Sequence, residues 1–163
     1  MSESARILVI DDEEGIRKTI SMALQHEGYM VDAAENGRQA VQKSKENFYN
    51  LAIIDVRLPD MEGTELLTSL KDTTPRMVKI ILTGFPGLQN AVTAINKGVD
   101  AYLIKPVNPV ELVRVVKEHL DKQRQEQAYS QEKVADFVES RFRQIESQEH
   151  STSKTSDERD PKR

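Results

Sequence analysis

Five polar side chains that could take part in chemistry each stand at the end of a short apolar run. They are two adjacent carboxylates, a single carboxylate, a hydroxyl and an amine, namely Asp11, Asp12, Asp55, Thr83 and Lys105. The run before Asp55, LAII at residues 51–54, has no polar break. Such a run is typical of a strand that is buried on both faces. We therefore interpret Asp55 as an acid that a rigid strand holds at the edge of a sheet.

The elements that must position these side chains alternate between strands and helices. The sequence predicts strands at residues 7–10, 29–34, 51–54, 78–82 and 101–104, with a helix after each strand. The third helix is predicted at residues 63–72 and the fifth from Pro109. Phe48 in the second helix and Leu88, Val92 and Ile95 in the fourth are predicted on apolar faces. This alternation predicts an α/β fold, with helices covering both faces of a parallel sheet.

The five polar side chains should meet at one edge of this sheet. Ligands of such sheets bind outside the carboxyl ends of the strands, which is where all five residues are predicted. Three carboxylates placed close together repel one another unless a cation compensates them. Mg²⁺ prefers oxygen ligands, and a lysine can neutralise further negative charge. The sequence therefore predicts a magnesium site made by Asp11, Asp12 and Asp55, with Lys105 beside it.

A carboxylate, a divalent cation and a lysine at one site suit phosphoryl transfer. An aspartate can act as the nucleophile and form an acyl phosphate, while the cation and the lysine stabilise charge on the phosphoryl oxygens. Asp55 is the preferred nucleophile because it stands alone, whereas Asp11 and Asp12 are paired. Thr83 could donate a hydrogen bond to the phosphoryl group. The alternative for Asp11 and Asp12 is a helix-start role, since acids favour the positive end of the helix dipole.

Four short motifs on these strand ends resemble those of a known family. They are Asp11-Asp12, Asp55 with the LPDMEG that begins three residues later, Thr83-Gly84, and Lys105-Pro106. The chain from about Arg6 to Leu120 resembles a response-regulator receiver domain of two-component signalling, here as a stand-alone receiver with a C-terminal helical extension. The resemblance implies a flavodoxin-like (βα)5 doubly wound sheet in the order 2-1-3-4-5. It also implies a phosphorelay response regulator rather than an enzyme acting on other substrates.

The resemblance assigns a role to each motif. Asp55 would accept a phosphoryl group from a histidine kinase, and Lys105 and Thr83 would assist. Mg²⁺ would be held by Asp11, Asp12, Asp55 and the backbone carbonyl of Arg57. Thr83 and Tyr102 would form a switch pair that reports phosphorylation, and the Lys105-Pro106 bond would be cis. Arg57 and Phe85 could slow hydrolysis of the phosphate because each lies two residues after a site residue.

Composition narrows the possible partners and locations. The net charge of −4 argues against a general nucleic-acid binder, and we expect no direct DNA binding. The absence of cysteine excludes disulfides and thiol chemistry and is compatible with a cytoplasmic protein. No apolar run approaches the length of a membrane span, so we expect no membrane insertion. Hydrophobic residues make up only 37% of the chain, which indicates that a polar segment dilutes one ordinary domain.

That polar segment lies at the C-terminus. We predict a receiver domain at 1–122, a helical extension at 123–147 and a disordered polar tail at 148–163. A sparse apolar stripe on the extension, including Val134, Val138, Phe142 and Ile145, favours contact with a downstream protein or a homodimer. The homodimer could instead use the face of helix 4, strand 5 and helix 5. The alternative function is a phosphorylation-independent interaction module with the same fold.

Overall fold

The structure is a computed structural model that describes residues 4–154, and the side chains of residues 4–150. Its elements follow one another as β1 Arg6–Ile10, α1 Glu14–His26, β2 Met30–Ala34, α2 Gly37–Glu46, β3 Leu51–Ile54, α3 Gly63–Ser69, β4 Val78–Thr83, α4 Leu88–Asn96, β5 Ala101–Ile104 and α5 Pro109–Lys154. The chain divides into two compact units, Met1–Gln123 and Arg124–Arg163. The first unit contains the five strands.

All five strands are parallel and form one sheet in the order β2-β1-β3-β4-β5. This order confirms the predicted flavodoxin-like fold. The register pairs Ile10 with Ile54, and Thr83 with Ile104, so β1 and β3, and likewise β4 and β5, end level with each other. The residues that follow these strands are therefore brought to one edge of the sheet.

The core lies on both faces of the sheet because successive strand residues point in opposite directions. Leu8, Ile10 and Ile54 pack with α2, α3 and α4 on one face. Ile7, Val9 and Ile53 pack with α1 and α5 on the other. Burying each of these side chains fully is worth about 1.5–3 kcal/mol, which makes the central strands a rigid support for the residues at their ends.

Three predictions about the helices differ from the structure. Phe48 is exposed, and its neighbour Tyr49 is buried instead, because α2 ends at Glu46 and the extended chain beyond it directs Tyr49 inward. Helix α3 ends at Ser69 rather than at residue 72, since Leu70 adopts an extended conformation and packs into the core. In α4 the large apolar side chains predicted on a buried face are exposed, and only Ala94 is fully buried.

Helix α5 is anchored in the first unit by Leu112, Val116, Leu120 and finally Gln123. The Gln123 amide nitrogen donates to the carbonyl oxygens of Asn50 at 2.9 Å and Arg76 at 2.8 Å. These bonds attach the helix to the chain entering β3 and β4, and they satisfy a polar group that is costly to bury alone.

The second unit consists, as far as it is described, of the rest of α5. All side chains from residue 124 to residue 150 are exposed, including the apolar stripe of Val134, Phe137, Val138, Phe142 and Ile145. The helix continues to Lys154, so residues 148–154 of the predicted disordered tail are helical. Residues 155–163 of that tail lie outside the described residues. Within the described chain, no helix has the length and hydropathy required to cross a membrane.

Candidate functional site

Asp55 lies at the carboxyl end of β3 and is fixed by its own backbone. Its N–H donates to the carbonyl oxygen of Ile10 at 2.9 Å, which extends the pairing of β3 with β1 by one residue. The residue is 6% exposed, so its carboxylate is close to the surface but mostly removed from water. A carboxylate in this position is oriented by the sheet and remains within reach of a reacting group.

Lys105 joins the two most buried acids of the site. Its Nζ lies 2.6 Å from Asp11 Oδ2 and 3.4 Å from Asp55 Oδ2. Asp11 is 2% exposed, and its other carboxylate oxygen accepts a hydrogen bond from the Glu13 N–H at 2.9 Å. The Lys105 N–H donates to the Thr83 carbonyl oxygen at 2.7 Å, which fixes the end of β5 beside β4. A single cation therefore compensates two carboxylates from different strands.

The electrostatics of the site follow from this arrangement. Burial raises the pKa of Asp55, and the negative charge of Asp11 raises it further, while Lys105 opposes both effects. Burial alone would lower the pKa of Lys105, but its hydrogen bond to Asp11 and the charges of Asp11 and Asp55 raise it above the usual value. Lys105 is thus a permanent cation at neutral pH, and the carboxylates exceed it in charge.

The carboxylates are arranged so that they could share one metal ion. One oxygen from each of Asp11, Asp12 and Asp55 lies within 4.8 Å of the others. Asp12 is exposed and Asp11 and Asp55 are buried, so the cluster opens to solvent on one side. Oxygen ligands with access to water match the preference of Mg²⁺, which usually keeps several waters. The donor set therefore fits a hard divalent cation.

The remaining residues predicted at the site surround this cluster. Thr83 is fully buried, and its Oγ1 accepts a hydrogen bond from the Phe85 N–H at 2.9 Å. Tyr102 is partly buried against the core, and its buried hydroxyl has no hydrogen-bond partner among the described residues. The Lys105-Pro106 peptide bond is cis. Arg57 donates its N–H to Asp55 Oδ1 at 3.4 Å.

A contact between two loops lies beside the acids. The guanidinium carbon of Arg57 is 4.0 Å from the centroid of the Phe85 ring. At this distance the two groups form a cation–π pair. The pair joins the loop after β3 to the loop after β4. Its two residues lie two positions after Asp55 and Thr83, respectively. The sequence placed both residues near the site but did not indicate that they contact each other.

The sequence interpretation missed two residues of the loop between β3 and α3. Gly63 lies so close to Asp55 that a Cβ would overlap the Asp55 carbonyl oxygen, so only glycine fits there. Asp60, to which the sequence analysis gave no role, accepts hydrogen bonds from the Gly37 and Arg38 backbone N–H groups. Turn residues within LPDMEG indicated the loop, but no local pattern indicated its contact with α2.

Comparisons with known proteins agree with this geometry. Residues 7–117 match the family model of the response regulator receiver domain. The transcriptional regulatory protein ResD of Bacillus subtilis (strain 168) is 35% identical over 116 residues, which cover 71% of this chain and 48% of that protein. The transcriptional regulatory protein SrrA of Staphylococcus aureus (strain NCTC 8325 / PS 47) is 35% identical over 114 residues, covering 70% and 47% respectively. The chain spans about half the length of these relatives.

Solved structures give the same result at the level of the fold. A CheY-like response regulator receiver domain protein from Methanospirillum hungatei JF-1 has 44% sequence identity and a TM-score of 0.73, over 76% of this chain and 99% of that chain. The beryllofluoride-activated NtrC4 receiver domain dimer has 36% identity and a TM-score of 0.67, over 72% and 98%. Since the family model covers well over half of the sequence and the sheet order agrees, the chain belongs to the receiver domain family of two-component response regulators.

Proposed function

We propose that this chain is a phosphorelay receiver that accepts a phosphoryl group on Asp55 from a histidine kinase. The observation that carries the proposal is the placement of Lys105 Nζ between Asp11 Oδ2 and Asp55 Oδ2, at 2.6 and 3.4 Å. This arrangement fixes the Asp55 carboxylate, the proposed nucleophile, beside a cation. Membership of the receiver family supports the same chemistry.

In the proposed reaction, the ionised Asp55 carboxylate attacks the phosphorus of a phosphohistidine. A P–O bond to Asp55 forms, the P–N bond to the donor imidazole breaks, and the imidazole keeps the bonding electron pair and takes a proton from water. Asp55 is held by β3 and Lys105 stabilises the negative phosphoryl oxygens. Mg²⁺, held by Asp11, Asp12, Asp55 and the Arg57 carbonyl, would supply further charge neutralisation. The chain thus catalyses only its own phosphorylation and dephosphorylation.

We propose that Thr83 and Tyr102 transmit the phosphorylated state. The Tyr102 hydroxyl, which has no hydrogen-bond partner within the part of the chain that the structure describes, supports this role. A buried polar group without a partner costs free energy, which favours a move to another position. Thr83 Oγ1 is held by the Phe85 N–H and lies on the strand next to β5. The Thr83 hydroxyl hydrogen remains available for a phosphoryl oxygen.

The proposed output is contact with a downstream protein in the cytoplasm. In the region of α4 and β5, large apolar side chains are well exposed, including Leu88, Ile95 and Ile104. The apolar stripe on the second unit is a separate exposed surface. A partner or a second copy of the chain could cover either surface, and direct contact with DNA is not part of the proposal.

Binding of beryllofluoride distinguishes the proposed phosphoryl acceptor from a phosphorylation-independent interaction module. Beryllofluoride mimics a phosphoryl group on a carboxylate, so it should bind the wild-type chain only when Mg²⁺ is present. Heteronuclear NMR should then show shifts at the ends of β1, β3, β4 and β5. The matched chemical test is labelled phosphate from a small acyl phosphate, with Mg²⁺ or with EDTA. Unchanged spectra together with no incorporation would support the module.

The Arg57–Phe85 pair leads to a prediction about the lifetime of the phosphate. We propose that this pair covers the approach of water to Asp55, so removing either side chain should speed hydrolysis. A cation–π pair near the surface is worth about 0.5–1 kcal/mol, and we expect hydrolysis to be roughly two- to fivefold faster in Arg57→Ala or Phe85→Ala. Loss of labelled phosphate over time measures this rate.

A double-variant cycle tests whether the pair acts as a unit. If the contact closes the path, the Arg57→Ala, Phe85→Ala double variant should hydrolyse at about the rate of either single variant. The Arg57 backbone carbonyl is retained in these variants, so Mg²⁺ binding should not change. Lifetimes equal to that of the wild-type chain would show that the pair does not restrict water.

A further inference from the structure

The loop between β3 and α3 is attached to the beginning of α2 by one carboxylate. Asp60 Oδ1 accepts the Gly37 N–H at 2.8 Å and Asp60 Oδ2 accepts the Arg38 N–H at 2.9 Å. The first N–H groups of a helix have no partner within the helix, so they are natural donors to an acid. These two hydrogen bonds lower the pKa of Asp60, which keeps its carboxylate ionised at neutral pH.

Apolar packing reinforces this attachment. A Cβ at Gly37 would overlap the side chain of Met61, so the start of α2 and the tip of the loop are in direct contact. Met61 is also one of the partly buried residues that pack on the core between α2 and α3. Asp60 and Met61 together hold the loop tip on α2 by polar and apolar contacts.

Backbone contacts also join the two ends of this loop, next to Asp55. The Leu58 N–H donates to the Met61 carbonyl oxygen at 3.2 Å, and the Gly63 N–H donates to the Val56 carbonyl oxygen at 2.5 Å. An isolated antiparallel bridge joins Arg57 to Glu62. The loop is therefore a compact unit that includes Arg57, so a displacement of its tip would be transmitted to Arg57, two residues after Asp55.

We propose that Asp60 is a positioning residue for the phosphoacceptor site. By fixing the loop tip to α2, it holds the Arg57 carbonyl and the Asp55 backbone in the arrangement that a divalent cation and a phosphoryl donor require. The inference rests on the proposed function and adds to it a residue that touches neither the cation nor the phosphoryl group. Its carboxylate is suited to the task because its two oxygens accept two adjacent N–H groups at once.

Asn36 provides a matched control, because its side chain caps the same helix and makes no hydrogen bond to the loop among the described residues. Its Oδ1 accepts the Gln39 N–H at 2.8 Å. Asn36→Ala and Asp60→Ala each remove acceptors from the first turn of α2, but only Asp60→Ala detaches the loop. Asp60→Asn keeps one acceptor oxygen and is the conservative variant. A role restricted to capping predicts the same behaviour for the Asn36 and Asp60 variants.

The experiment measures Mg²⁺ affinity of the full chain by calorimetry, and amide exchange of the metal-free chain. Loss of a residue that orients metal ligands typically weakens binding at least tenfold, so we expect Asp60→Ala to raise the Mg²⁺ dissociation constant roughly tenfold. Asp60→Asn should lie between Asp60→Ala and wild type. Without metal, exchange at the Leu58 and Gly63 amides should become faster in Asp60→Ala and remain at the wild-type rate in Asn36→Ala.

Two results would overturn the inference while leaving the proposed function intact. One is wild-type Mg²⁺ affinity and wild-type loop exchange in both Asp60 variants. The other is an equal loss of affinity in Asn36→Ala and Asp60→Ala, which would assign the effect to α2 alone. If the wild-type chain neither binds Mg²⁺ nor accepts a phosphoryl group, the proposed function fails and the inference fails with it. If Asp60→Ala does not fold, the comparison of Asp60→Asn with Asn36→Ala decides.

Discussion

The Asp55→Asn variant should take up no phosphoryl group from a phosphorylated histidine kinase or from a small acyl phosphate. Its amide keeps the shape of the side chain but has no anionic oxygen to attack phosphorus. Asp55 is the single carboxylate at the end of the central buried strand, and its Oδ2 lies 3.4 Å from Lys105 Nζ. In wild type, the label should remain on the chain after the donor is removed and should be released by hydroxylamine. These two properties would identify it as an acyl phosphate.

The control for this variant is Glu65→Gln, which removes an exposed acid from the first turn of α3. It should be labelled at the wild-type rate. Circular dichroism should show the same helix content in all three proteins, so that loss of labelling is not caused by unfolding. Labelling of Asp55→Asn at a rate comparable to wild type would exclude Asp55 as the acceptor and direct attention to Asp11 or Asp12.

The Lys105→Met variant should lose about 3 kcal/mol of the free energy of unfolding when no divalent cation is present. Removing one partner of a buried ion pair leaves an uncompensated charge, which typically costs about 3–5 kcal/mol. Here Asp11 and Asp55 are 2% and 6% exposed, and both lose their cation. Urea unfolding in EDTA, followed by the helix signal, measures the loss.

Adding Mg²⁺ should raise the free energy of unfolding more in Lys105→Met than in wild type, because the carboxylates of the variant have no competing cation. The deficit should also shrink as the pH falls. The pKa of Asp55 is already raised in the folded chain, so the folded state binds a proton more readily than the unfolded state and gains stability on acidification. Lys105 opposes the rise in the pKa of Asp55, so the stability gained on acidification should be larger in Lys105→Met.

The pKa of Lys105 has the matching consequence at high pH. This pKa is raised in the folded chain, so the contribution of Lys105 to the free energy of unfolding is complete below the ordinary lysine pKa. That contribution is lost only as the pH rises through the pKa of the folded state.

The surface pair of Lys117 and Glu27 is the control, and Lys117→Met should change the free energy of unfolding little and independently of Mg²⁺. If Lys105→Met is as stable as wild type in EDTA, the two carboxylates do not require the lysine.

The sequence alone was sufficient to predict the strands and the side chains that follow them. The four-residue apolar runs before Asp55, Asp11 and Lys105 are local patterns, and a parallel sheet necessarily brings the residues after such strands to one edge. The alternation of strands and helices indicated the class of fold. The strand order came from the resemblance of the motifs to a family, because spacing within the sequence does not specify which strands are neighbours.

Only the tertiary structure decided the features that depend on contacts between distant segments. Phe48 and Tyr49 are adjacent and both aromatic, and the point at which α2 ends determines which of them is buried. The apolar residues of α4 are exposed because the small Ala94 alone faces the core, and helical spacing does not distinguish a buried face from a docking face.

Asp60 shows the same limit at the site itself. Its partners Gly37 and Arg38 are 23 and 22 residues away in the chain, so no local pattern could separate this acid from a solvated loop acid. Gly63 is required because the Asp55 carbonyl oxygen occupies the space of its Cβ, which is also a contact made by folding. The sequence determined which groups meet at the sheet edge, and the packing of loops against helices determined how firmly they are held there.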